Sequence, residues 1–212
     1  MKIILTLITA LAISTTASAQ ITPGSYVVGG AAGLNFSNAP NGFSTSRTTS
    51  FYITPNVGKF VSEKYLLSGG IGYARYSQFS QNNPSYSNKS TGNSFSAQFG
   101  VTRYFPLVDR LYFTLGGSLI PAYTVNRNEL TNQGGTASTS SSEMFSAMID
   151  ITPGLTYFVN RKWMLYTSVG VLNYQLSHNL TSDQTWHTVS MSARGNSFGV
   201  GVRYIIGSGT ND

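Results

Sequence analysis

The sequence contains no cysteine. That absence excludes disulfide scaffolds, thiolate zinc sites, cysteine nucleophiles and lipid attachment at an N-terminal cysteine. Charge is also scarce, with Asp, Glu, Lys and Arg at 9% of 212 residues, against about 25% in a typical soluble domain. Repeated apolar runs of about 20 residues are missing, which excludes a multi-helix membrane protein. The net charge of +6 is spread along the chain rather than clustered, so no nucleic-acid partner is expected. What replaces the missing charge is Ser, Thr, Asn, Gln and Gly, together with 13% aromatic residues. Mean hydropathy is −0.04, and the aromatic and β-branched content is too high for a disordered chain.

The first twenty residues read as an export signal. Lys2 precedes an apolar stretch from Ile3 to Ile13, and Ala17-Ser18-Ala19 has the small-x-small form of a signal-peptidase site. The expected division is a cleaved signal peptide over residues 1–19 and a single domain over 20–212.

After residue 20 the dominant period is two. Eight stretches alternate: Tyr26 to Ser37, Phe51 to Lys59, Tyr65 to Ala74, Ser94 to Val101, Leu111 to Leu119, Ala147 to Thr156, Trp163 to Val171 and Ser197 to Tyr204. In each, one set of positions is bulky and apolar. The other is mostly Gly, Ala, Ser, Thr and Asn. Three connections are short: Ser62-Glu63-Lys64, Pro106 to Arg110, and Asn160-Arg161-Lys162. Four are expected to be long polar loops: Asn38–Arg47, Ser80–Ser90, Arg127–Ser142 and Asn179–Ser190. Short and long connections alternate strictly along the chain. The chain also repeats: Ile53-Thr54-Pro55 recurs as Ile151-Thr152-Pro153, and Phe60-Val61 with Lys64 recurs as Phe158-Val159 with Lys162. Repeated hairpins suit an up-and-down meander closed into a barrel.

A soluble barrel would carry a charged outer face, of about 25–35% Lys, Arg, Glu and Asp. Neither face here does. A transmembrane barrel places an apolar band outside and small polar residues inside, and aromatics near stretch ends match its interfacial girdles. The expected fold is therefore all-β: an eight-stranded antiparallel up-and-down transmembrane β-barrel. The signal peptide, the alternating hairpins and the repeated Pro-x-x-Gly/Thr-x-Phe-Val-x-x-Lys pattern resemble the small outer-membrane β-barrel domain family of Gram-negative bacteria, the PorT-like, eight-stranded group. The resemblance implies a cell outer membrane location, with outer-membrane lipid and the barrel-assembly machinery as partners. One departure is that Tyr204-Ile205-Ile206 is followed by Gly207 to Asp212, whereas such barrels often end on an aromatic residue.

Few residues invite chemistry. His178 and His187 flank the last long connection, with Asp183, Ser177, Ser182 and Ser190 nearby; two His and one Asp are too few for a closed metal site. No catalytic, cofactor or metal site is expected. Asp150 and Arg203 lie on the small-residue faces of their strands, where a charge needs a partner or water. An interior network of Asp150 and Arg203 with Tyr112 or Tyr166 is expected. Lys59 and Arg103, with Tyr65, Trp163 and Tyr204, are expected interfacial anchors. The functional expectation is a non-enzymatic structural or interaction barrel acting through its loops toward an unidentified ligand or protein. Passive transport of a small or apolar solute is the alternative, and a lipid-modifying enzyme at the outer leaflet the third.

Overall fold

A computed structural model describes residues 21–41, 44–83, 86–132, 137–192 and 199–207. The signal-peptide segment and the tail beyond Gly207 lie outside these residues. Every described element is a strand. β1 (Tyr26–Asn41), β2 (Ser44–Ser62), β3 (Tyr65–Asn83), β4 (Tyr86–Val108), β5 (Leu111–Asn132) and β6 (Ala137–Phe158) form a meander of antiparallel neighbours. β7 (Trp163–Ser168) and β8 (Val171–Asn179) both pair with β6, one above the other, and together make the seventh stave. β9 (Gln184–Ser192) pairs with β8, and β10 (Gly199–Ile206) pairs with β7, making the eighth. The ring closes where β1 meets β10 at Tyr26↔Ile206, Val27↔Ile205 and Val28↔Tyr204. The eight-stave antiparallel barrel read from the sequence is therefore present.

The repeated Ile-Thr-Pro element has a structural meaning. Proline has no N–H to give to a ladder. Pairing between β2 and β3 lapses from Thr54 to Pro55, and pairing between β6 and the seventh stave lapses at Thr152-Pro153, opposite the Val169-Gly170 break. Pro121 sits at the same kind of lapse between β4 and β5. Pro55 and Pro153 keep a partner on the preceding strand, Gly30 and Leu115, whereas Pro121 keeps one on the following strand, Ala147.

The four segments expected as long loops are largely ladder instead, and that expectation is corrected here. β1 and β2 stay paired from Asn38↔Arg47 to Asn41↔Ser44, and β3 and β4 from Gln78↔Ser90 to Asn83↔Tyr86. β5 and β6 pair from Asn126↔Ser142 to Thr131↔Ala137. β8 and β9 run together to Asn179↔Gln184. That last hairpin closes on a four-residue turn: Asn179 Oδ1 accepts from the Thr181 and Ser182 N–H groups at 2.9 and 3.0 Å, and Asp183 takes φ 53°. Polarity on both faces resembled loop composition. It arises because both faces of these strand extensions meet water.

Candidate functional site

The interior is built from the small-residue faces, and its short-turn end is closed. Each stave contributes one inward apolar side chain at the same level: Val27, Phe60, Leu66, Tyr104, Tyr112, Phe158, Met164 and Ile205. Seven of them are at most 6% exposed, and Tyr112 packs against them. Tyr104 is the hub, with ring centroids 5.4 Å from Phe60, 6.0 Å from Tyr112 and 6.4 Å from Phe158. Ile21 is buried against the layer from below. The segment carrying it is tied down by Gly24 N–H to the Phe60 carbonyl (2.7 Å) and Phe60 N–H to the Ser25 carbonyl (2.9 Å).

Sequence reasoning missed this plug as a unit. The signal was the apolar doublet at strand ends: Phe60-Val61, Leu66-Leu67, Tyr104-Phe105, Trp163-Met164 and Ile205-Ile206. Period two sends one member of each doublet outward and the other into the barrel.

Above the plug lies a cavity of ≈ 230 Å³. Its wall is rich in hydroxyls, including Thr102, Thr114, Thr152 and Thr156, with Gln98 and Arg203. The Arg203 guanidinium stacks on the Tyr166 ring, 4.3 Å from its centroid. Gly201 makes room for that ring, since a Cβ there would run into it. Tyr104 is a side-chain hydrogen-bond partner of Arg203. Of the expected network, the structure thus brings Arg203 and Tyr166 together. Tyr112 belongs to the plug. Asp150 stands higher, opposite Ser118 and Asn173 in the ladders, and makes no ion pair with Arg203 among the described residues. Asp150 Oδ1 and Arg203 Nε are both buried without a hydrogen-bond partner.

The outward faces carry two aromatic belts. Around the short-turn end, Lys59 lies over the Tyr26 ring (5.3 Å) and Arg103 over Tyr65 and Phe105 (5.6 and 4.7 Å). Trp163 packs edge-on to Tyr204 (4.8 Å). Higher up, Tyr73 packs against Phe51 and Phe95 (6.5 and 5.1 Å), and the ladder continues through Tyr123 and Phe145. From Tyr65 to Tyr73, or from Phe113 to Tyr123, is eight to ten residues. At about 3.3 Å per residue and a tilt near 40°, that separates the belts by about 20–25 Å, the height of an outer-membrane apolar band. Between them stand exposed Val57, Leu67, Ile71, Phe99, Val101, Leu115, Leu119 and Ile151. Such an apolar surface is too large for contact with water.

Each histidine has its own hydroxyl partner on the last hairpin. His178 Nδ1 meets the Thr185 hydroxyl at 2.8 Å and its Nε2 lies 3.6 Å from Asp183, while His187 Nδ1 meets the Tyr174 hydroxyl at 2.6 Å. No serine touches either ring among the described contacts.

The comparison with protein families agrees with this architecture. A family model described as "Putative OmpA-OmpF-like porin family" matches residues 32–198. No curated protein matches the chain significantly. Among solved structures, the translocator domain of autotransporter NalP from Neisseria meningitidis is similar at 10% identity and a TM-score of 0.27, covering 95% of this chain and 91% of that one. With most of its length matched, its apolar band between two aromatic belts and its ring of eight staves, the chain belongs to the OmpA-OmpF-like porin family and is an outer-membrane β-barrel protein.

Proposed function

We propose that this barrel is non-conducting and non-enzymatic, and that it acts by presenting its four long hairpins to a partner outside the cell. In this reading the short turns face the periplasm, residues 1–19 are removed on export, and the assembly machinery inserts the barrel. The PorT-like group remains its proposed place within the outer-membrane barrels. Lys59, Arg103, Tyr65, Trp163 and Tyr204 anchor the inner belt among lipid headgroups.

One observation carries the reading: every stave sends an apolar side chain into a single layer that leaves no water-sized gap around seven of its members. Close-packed apolar interiors exclude water and ions. Passive transport would need that layer to part. A lipid-modifying enzyme would need a nucleophile beside His178 or His187, and the hydroxyls that touch them belong to Thr185 and Tyr174.

Single-channel recording in planar bilayers tests it. The purified full-length protein should add no conductance steps, and reproducible steps would overturn the proposal.

A further inference from the structure

We infer that the cavity above the plug is a binding pocket for a small oxyanion, a carboxylate or phosphate group, held by Arg203. The inference stands whether or not the hairpins dock a partner.

Four observations converge. Arginine stays protonated at any physiological pH, so Arg203 brings a permanent positive charge into the barrel. A charge removed from water requires a partner. Arg203 forms no ion pair among the described residues, and its buried Nε has no hydrogen-bond partner. The two aromatic side chains beside it are neutral: the Tyr166 ring at 4.3 Å and the Tyr104 hydroxyl.

Second, the guanidinium is held in place. Stacking on Tyr166 fixes its plane, and Tyr104 is locked in the plug. A fixed guanidinium edge presents paired donors matched to carboxylate and phosphate oxygens. Third, the space beside it is of the right kind. At ≈ 230 Å³ the cavity is below the size of a drug-like site, and Thr102, Thr114, Thr152 and Thr156 add hydroxyl donors from three staves. Fourth, the plug seals the pocket below, so it is a dead-end site entered from the hairpin side rather than a conduit. The interior carboxylate of Asp150, opposite Ser118 in the ladder, is not part of the cavity wall.

The test is titration calorimetry on the refolded full-length chain in neutral detergent. Sodium phosphate and sodium acetate serve as probes, with sodium chloride as the ionic-strength control. The proposal expects saturable binding of at least one probe and none of chloride. Arg203→Gln should weaken it about 10- to 100-fold, the worth of a charge-assisted hydrogen-bond set, while Arg203→Lys keeps part of it. Folding of each variant is checked by its heat-dependent gel shift. Should Arg203→Gln fail to fold, Gly116→Val provides an independent test. A Cβ at Gly116 meets nothing nearer than 3.5 Å, so the branched side chain grows into the cavity and should abolish binding with Arg203 intact. Absence of saturable binding by the wild type, or equal binding by Arg203→Gln or Gly116→Val, would overturn the proposal. Either result would mean that water alone solvates Arg203.

Discussion

Phe60→Ala probes the plug most sharply. Phe60 is 1% exposed, packs its ring 5.4 Å from Tyr104, and holds the Gly24–Ser25 segment only through its backbone. Truncation therefore removes side-chain packing and leaves those backbone hydrogen bonds in place. Phe→Ala in a closed core costs about 3–5 kcal/mol, of which the aromatic pair accounts for about 0.5–1.5 kcal/mol. Val57, three residues earlier on the outward face, is the control. It is 50% exposed, and lipid closes over the two missing methyls, so Val57→Ala should cost under about 1 kcal/mol, below the about 2–5 kcal/mol of buried aliphatic-to-Ala changes. The assay is equilibrium urea unfolding of the barrel in lipid vesicles, followed by the fluorescence of Trp163 and Trp186. A Phe60→Ala cost below that of Val57→Ala would refute the packed layer, because a water-filled opening at that level would tolerate the truncation.

Two further substitutions test other parts of the account. Gly154→Ala should cost about 1–3 kcal/mol as an overpacking change, because its Cβ would run into the Thr167 carbonyl oxygen of β7. Gly117→Ala, whose Cβ meets nothing nearer than 4.0 Å, should lie within about 0.5 kcal/mol of wild type in the same urea assay. Tyr123→Phe removes the hydroxyl that donates to Glu143 Oε2 at 2.6 Å, joining β5 to β6 at the upper belt. Because that bond is exposed, its loss should shift the same unfolding midpoint only slightly downward.

How much of this was readable in the residues depended on which face they occupied. Period two was clean wherever one face met lipid, so Ile149, Ile151 and Leu155 fixed both the strand and its orientation. It vanished where both faces met water, so Ser138 to Ser142 read as loop although they pair with Asn126 to Leu130. The seventh and eighth staves are each split in two, and alternation over Trp163 to Val171 gave no hint that pairing lapses opposite Pro153. The repeated Ile-Thr-Pro was visible without its meaning, because a missing N–H matters only once the neighbouring strand is known. Asp150 and Arg203 were assigned to the interior from parity alone. Parity fixes the face of a residue but not its height along the barrel, and height is what keeps the two apart.

The central claim is that odd and even positions of one strand face lipid and a polar cavity respectively. The cysteine-free chain permits a clean test with Ile151→Cys and Thr152→Cys in otherwise unaltered protein, reconstituted in vesicles. Ile151 is exposed on the outer face, and Thr152 lines the cavity. A fluorophore at 151 should be quenched by lipid-borne nitroxide, while the thiol at 152 should react with a small water-soluble thiol reagent and escape lipid quenching. The reverse pattern would place the apolar set inside a soluble barrel and contradict the account.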